Sequence, residues 1–136
     1  MDRPDLYVRR LPPTGRSFWT QRVRQAYDDL AEPPRMFRHL AVIPFLLAAR
    51  RRPRTLIFAA AGVVALAEIG RQKAGGKEIF SASASFLSPI WLIERGICSW
   101  IALGSRLFAG GCSYSGSKLV RAATPVRTLR RRLGYP

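Results

Sequence analysis

Thr55-Leu56-Ile57-Phe58-Ala59-Ala60-Ala61-Gly62-Val63-Val64-Ala65-Leu66-Ala67 runs without a charge between Arg54 and Glu68. Nothing in it breaks a helix, and Ile69-Gly70 extends it past the single glutamate. A helix rises about 1.5 Å per residue, so the run is a short match to a hydrocarbon layer of roughly 30 Å. Arg54 and Arg71 fence it and can snorkel their guanidiniums to either interface, lengthening the effective span. The competing reading is a buried helix of a soluble domain. Just upstream, Leu40 to Ala49 is a second uncharged run, too short to cross a bilayer and closed by Arg50-Arg51-Arg52. It belongs to a helix expected from Arg35 to about Arg52, which Pro44 should kink or divide. That segment fits an interfacial or re-entrant helix, with the arginines at headgroup level. Downstream, Ser88-Pro89 suits a helix start with proline in the first turn, and Gly110-Gly111 suits its end near Phe108.

Within that last helix, Glu94-Arg95 interrupts an otherwise apolar surface. Charges at mid-membrane cost about 2.5–3.5 kcal/mol each on insertion scales, so they should pair or face protein. Either they contact another helix or partner subunit, or the helix lies at the interface with Trp91 and Trp100 as belt residues. If Thr55–Ile69 and Pro89–Phe108 both cross, the termini share one side, which the positive-inside rule makes cytoplasmic. Three basic residues in the intervening loop, Arg71, Lys73 and Lys77, weigh against that orientation.

Composition narrows the partners. The chain has 136 residues and a formal net charge of +15, from 23 basic against 8 acidic side chains. Such an imbalance calls for a polyanionic neighbour. Nucleic acid is the least favoured, because the arginine-rich tail lacks interleaved aromatics and a recognition helix. Anionic membrane lipid fits the long uncharged runs better. Two cysteines, Cys98 and Cys112, and one histidine, His39, make neither a disulfide framework nor a metal site. Cys98 reads as a buried small hydrophobe, and His39 as a hydrogen-bonded residue of an apolar helix.

The N-terminal third carries the most specific pattern. Pro4, Pro12, Pro13 and Gly15 keep the first residues extended, with Leu6-Tyr7-Val8 able to form a short strand. A helix is expected from Phe18, capped by Ser17, to about Ala31, where Pro33-Pro34 stops it. It opens Phe18-Trp19-Thr20-Gln21-Arg22-Val23-Arg24-Gln25, with Arg24 and Asp28 spaced for a weak surface pair. Asp28-Asp29, being adjacent, point about 100° apart and cannot grip one ion together, so they are expected on the helix surface.

This pattern resembles the membrane-proximal, C-terminal part of a family 2 (GT-A type) glycosyltransferase, of the cellulose- and hyaluronan-synthase kind. That family carries Gln-x-x-Arg-Trp on a helix, and Gln21 and Arg24 stand in the matching places, with Gln25 where the family has Trp. Trp19 fits the family's aromatic lead. The resemblance covers roughly residues 5–110. It implies substrate binding by Trp19, Gln21, Arg22 and Arg24, near a nucleotide-sugar diphosphate and its acceptor at the cytoplasmic membrane face. A guanidinium is suited to phosphate oxygens by its planar, permanent charge. The family's metal-binding and general-base carboxylates are not among these residues. No catalytic residue and no cofactor is therefore assigned to this chain, and a divalent metal would belong to a separate catalytic domain. The expected architecture is all-α: a transferase-like segment over 1–34, a membrane-associated helical region over 35–110, and a flexible basic tail over 111–136. The expected location is the cell membrane, with both termini cytoplasmic. Expected partners are membrane lipid and a separate catalytic chain or nucleotide sugar. The alternative is a small non-catalytic basic membrane protein that binds anionic lipid or a partner membrane protein.

Overall fold

The computed structural model describes residues 14–73, 76–114, 117–120, 122–124 and 126–134. The expected strand at Leu6-Tyr7-Val8 lies outside them. The described chain is predominantly helical, as expected. In order come α1 (Gly15–Asp28), a 3-10 turn (Asp29–Ala31), α2 (Pro33–Leu40), α3 (Val42–Ala49), α4 (Pro53–Gln72), α5 (Gly76–Ile79), α6 (Ala82–Phe86) and α7 (Ser88–Phe108). A hairpin of β1 (Cys112–Tyr114) and β2 (Ser117–Leu119) and a last helix, α8 (Val126–Leu133), complete it.

Helix boundaries follow from local chemistry. Thr14, not Ser17, caps α1: its hydroxyl accepts from the Ser17 N–H at 3.3 Å. Pro33 and Pro34 occupy the first turn of α2, where a missing N–H costs nothing, so they start a helix as well as stop one. Pro89 does the same for α7. Gly110 adopts φ 64 after α7, a left-handed conformation that a side chain resists, and the Gly111 N–H returns to the Ser105 carbonyl at 3.1 Å.

Pro44 divides the second segment, as its position requires. It cannot donate to the Leu40 carbonyl, and the chain breaks at Ala41 between α2 and α3. The abandoned carbonyl is taken by α7: the Trp100 indole N–H donates to Leu40 O at 3.0 Å. Trp100→Phe should therefore lower stability by about 1 kcal/mol, the worth of one such bond. In a Pro44→Ala background the same change should cost measurably less, because alanine restores a backbone N–H that can serve the Leu40 carbonyl. Thermal unfolding of the four proteins in detergent reads the coupling.

Packing centres on α7, which α1, α2, α3 and α4 all touch. The buried cluster is Ala26, Tyr27, Met36, Cys98, Ala102 and Cys112. Small residues let the helices approach: a Cβ on Gly96 would meet the Val42 Cβ at 3.0 Å. The tail is more ordered than expected. Strands β1 and β2 pair antiparallel, with Cys112 opposite Leu119 and Tyr114 opposite Ser117. The Val120 carbonyl accepts both the Tyr27 hydroxyl, at 2.9 Å, and an Arg106 N–H, at 2.6 Å. A plain basic tail over 111–136 is thus corrected to a hairpin stapled to α1 and α7, followed by a basic helix. Tyr27 is 1% exposed, and its hydroxyl finds its acceptor in this segment.

One described helix, α4, is long and apolar enough to cross a membrane. Its 20 residues span about 30 Å, and none of them is buried inside the protein. Phe58 is 76% exposed and Leu66 71%. Its one acid, Glu68, is satisfied locally by Arg71 at 2.7 Å and by the Ser85 hydroxyl of α6 at 2.9 Å. Helix α7 does not meet the same standard. Yet its outer face is apolar too, with Ile90, Ile97 and Ile101 exposed. Exposed aliphatic and aromatic surface of this extent marks a contact with a membrane or with another protein.

Candidate functional site

The two acids and two arginines at the α1–α7 contact make the polar centre of the molecule. Helix α1 lies along α7, and Arg22 forms a two-pronged ion pair with Glu94: Nε donates to Oε1 at 3.0 Å and Nη2 to Oε2. The hydrogen bonds from Arg22 to Glu94 raise the Arg22 pKa above its ordinary value. The Cys98 thiol also donates to Glu94, at 3.1 Å. Next to Glu94 on α7, Arg95 is buried and donates to Asp29 Oδ2 at 2.6 Å and to the Gln25 carbonyl at 3.0 Å. Asp29, 4% exposed, also faces His39 Nδ1 at 3.0 Å and Arg35 at 3.8 Å. The expectation that Glu94 and Arg95 must pair is met, and the partners are in this chain.

Asp29 corrects the expectation of a helix-surface pair. Asp28 closes α1, whereas Asp29 opens the 3-10 turn and points inward beneath α2, where it answers Arg95. The missed signal was the arginine itself. A guanidinium on an apolar helix demands a carboxylate, and the uncommitted ones upstream are few.

These residues border an open cleft of about 760 Å³ between α1, α2 and α7. Arg22, Arg35, Arg38 and Arg95 line it, against Asp28 and Asp29. The four residues expected to bind substrate do not converge on it. Arg22 lines the cleft with its charge engaged by Glu94. Gln21 is exposed. Trp19 lies edge-on to Phe18, 6.2 Å between ring centres, beside a separate shallow cavity reaching Ile101 and Cys112. Arg24 sits on the side toward Cys112, whose thiol is pushed up by burial, with Arg24 opposing and Asp28 reinforcing the shift. Successive residues turn about 100° around a helix, so Gln21 and Arg24, three apart, keep to one side of α1, whereas Arg22 turns to the cleft. Among the described residues no three His, Cys, Asp or Glu side chains gather as a metal site would need.

No family model, no curated protein and no solved structure matches the chain.

Glu94→Gln tests the Arg22–Glu94 clamp. It keeps the shape and removes the charge, leaving Arg22 half-served in a partly buried setting. Stability should fall by about 1.5–3 kcal/mol, the range for hydrogen bonds to charged groups. Denaturant unfolding in detergent checks it. A change within about 0.5 kcal/mol, as on an open surface, would show the clamp to be ornamental.

Proposed function

We propose that this chain is the membrane module of a family 2 glycosyltransferase, supporting nucleotide-sugar-dependent transfer at the membrane face without catalysing it alone. The observation that carries the reading is the docking of α1. The helix bearing Trp19, Gln21, Arg22 and Arg24 is clamped through Arg22–Glu94 and Arg95–Asp29 to a body with uncovered apolar helices. An arginine-bearing helix held rigidly beside a bilayer is what a diphosphate-handling catalytic domain would need as a floor. Gln21 and Arg24, which α1 leaves off the cleft, then face a catalytic domain resting on the other side of that helix. The test is activity in membranes. A chain joined to an upstream Asp-x-Asp domain should transfer sugar from a nucleotide sugar, and Arg24→Ala should reduce kcat at least about ten-fold, as loss of one positioned charge does. If no Asp-x-Asp domain precedes the chain or co-purifies with it, the reading is lost.

A second reading has its own observation. Arg50, Arg51, Arg52 and Arg54 crowd the start of the one membrane-length helix among the described residues, and the cleft beside α2 is lined by four arginines. A non-catalytic basic membrane protein that gathers anionic lipid would show both. Flotation with vesicles that ignores lipid charge would argue against it.

A further inference from the structure

The basic cleft has a neighbour. A second cavity of about 560 Å³ lies between α3, α4 and α7, and it is almost wholly apolar. Phe45, Leu46, Leu56, Val63 and Ile93 form its walls, and Ala59 and Ala60 give it depth. The two cavities share three residues, Arg38, Val42 and Leu92. The two cavities therefore adjoin, one cationic and one apolar, with Arg38 on the border of both.

Arg38 differs from the other arginines of the cleft. Arg22 is held by Glu94, Arg95 by Asp29, and Arg35 by Glu32 at 3.2 Å. Arg38 touches only the Pro34 carbonyl, at 3.3 Å, and among the described residues no carboxylate pairs with it. Its charge is thus available to something outside the fold. The apolar arm runs along α4, the helix long and apolar enough to cross a membrane, from Leu56 to Val63.

We propose that these adjoining cavities hold one anionic phospholipid from the surrounding bilayer. Its phosphodiester rests on Arg38, and one acyl chain lies between α3, α4 and α7. Charge complementarity selects the headgroup, and the adjacency of a cationic and an apolar cavity selects an amphiphile over a free phosphate or a bare hydrocarbon. The proposal rests on the membrane placement of α4 and not on the transferase reading.

The test is native mass spectrometry of the full chain released from nanodiscs containing phosphatidylglycerol and phosphatidylcholine, with vesicle flotation run beside it. The wild type should retain one phosphatidylglycerol in preference to phosphatidylcholine. Arg38→Gln, an exposed position that should not disturb folding, should reduce that preference about five-fold, the equivalent of about 1 kcal/mol per basic side chain at an anionic surface. Arg130→Gln, an exposed position on α8 outside both cavities, should not. Ala60→Phe, filling the apolar arm, should reduce retention of both lipids, with helical content by circular dichroism confirming the fold. Equal effects of Arg38→Gln and Arg130→Gln would overturn the site. So would full displacement of the lipid by glycerol phosphate, since the acyl chain would then contribute nothing. Flotation separates the site from the membrane placement beneath it. Variants that float but lose selectivity support the site, whereas a wild type that does not float removes that placement.

Discussion

Asp29→Asn should destabilise this protein more than any other single change of one acid to its amide. The carboxylate is 4% exposed and serves Arg95, His39 and Arg35. Arg35 is half exposed and can turn to water, but the Arg95 side chain is 10% exposed and cannot. Neutralising Asp29 leaves a buried guanidinium in contact only with neutral acceptors, an amide oxygen and the Gln25 carbonyl. Removing one partner of a buried pair costs about 3–5 kcal/mol, which is a large share of a small protein's whole stability. The neighbouring Asp28→Asn should change stability by no more than about 0.5 kcal/mol. The decisive companion is Asp29→Leu with Arg95→Met. Replacing both charges by apolar side chains of similar size should recover most of the loss, because the penalty lies in the orphaned charge and not in the absent attraction. Denaturant unfolding in detergent, followed by circular dichroism, reads all four proteins. If the double variant is as unstable as Asp29→Asn alone, the pair contributes specific geometry that apolar packing does not replace.

The contrast between Asp28 and Asp29 marks where the sequence stops being legible. The helices could be read directly, because uncharged runs, prolines and paired glycines are local signals. Pro33-Pro34, Ser88-Pro89 and Gly110-Gly111 each fall at a real boundary. The ion pairs could not be read, because Arg22 and Glu94 are 72 residues apart and Asp29 and Arg95 are 66 apart. Periodicity gives each residue an angle on its own helix but says nothing about which helix lies opposite. The sequence did establish that Glu94 and Arg95 needed partners. It left open whether those partners were lipid headgroups, another subunit or this chain. The hairpin at 112–119 was hidden for a different reason. Its strands are three residues each, too short for alternation to show, and they sit in a stretch whose arginines and glycines look like tail. Of the candidate site, the residues of α1 were visible and their dispersal was not. Gln21 and Arg24, three apart, share one side of α1 while Arg22 turns to another, and which side meets the body of the protein is not a local signal.

Leu66→Arg asks whether the uncovered surface of α4 faces lipid. The side chain is 71% exposed and lies in the interior of a membrane-length helix with no buried residue. On a soluble protein, arginine at such a position would be nearly neutral for folding and favourable for solubility. In a hydrocarbon layer the same change costs about 2.5–3.5 kcal/mol on insertion scales, enough to shift the inserted population by roughly 100-fold. The two environments therefore predict opposite outcomes for one substitution. We expect Leu66→Arg to leave the alkali-resistant membrane fraction, and Leu66→Phe to stay in it. The arginine at position 54 supplies the internal reference, since Arg54→Leu only lengthens the apolar run and should strengthen insertion. Recovery of Leu66→Arg in the membrane fraction at wild-type yield would mean that α4 lies against protein. The apolar faces of α4 and α7 would then be one half of an interface, and the +15 charge would have to be answered by an acidic partner chain in place of a bilayer.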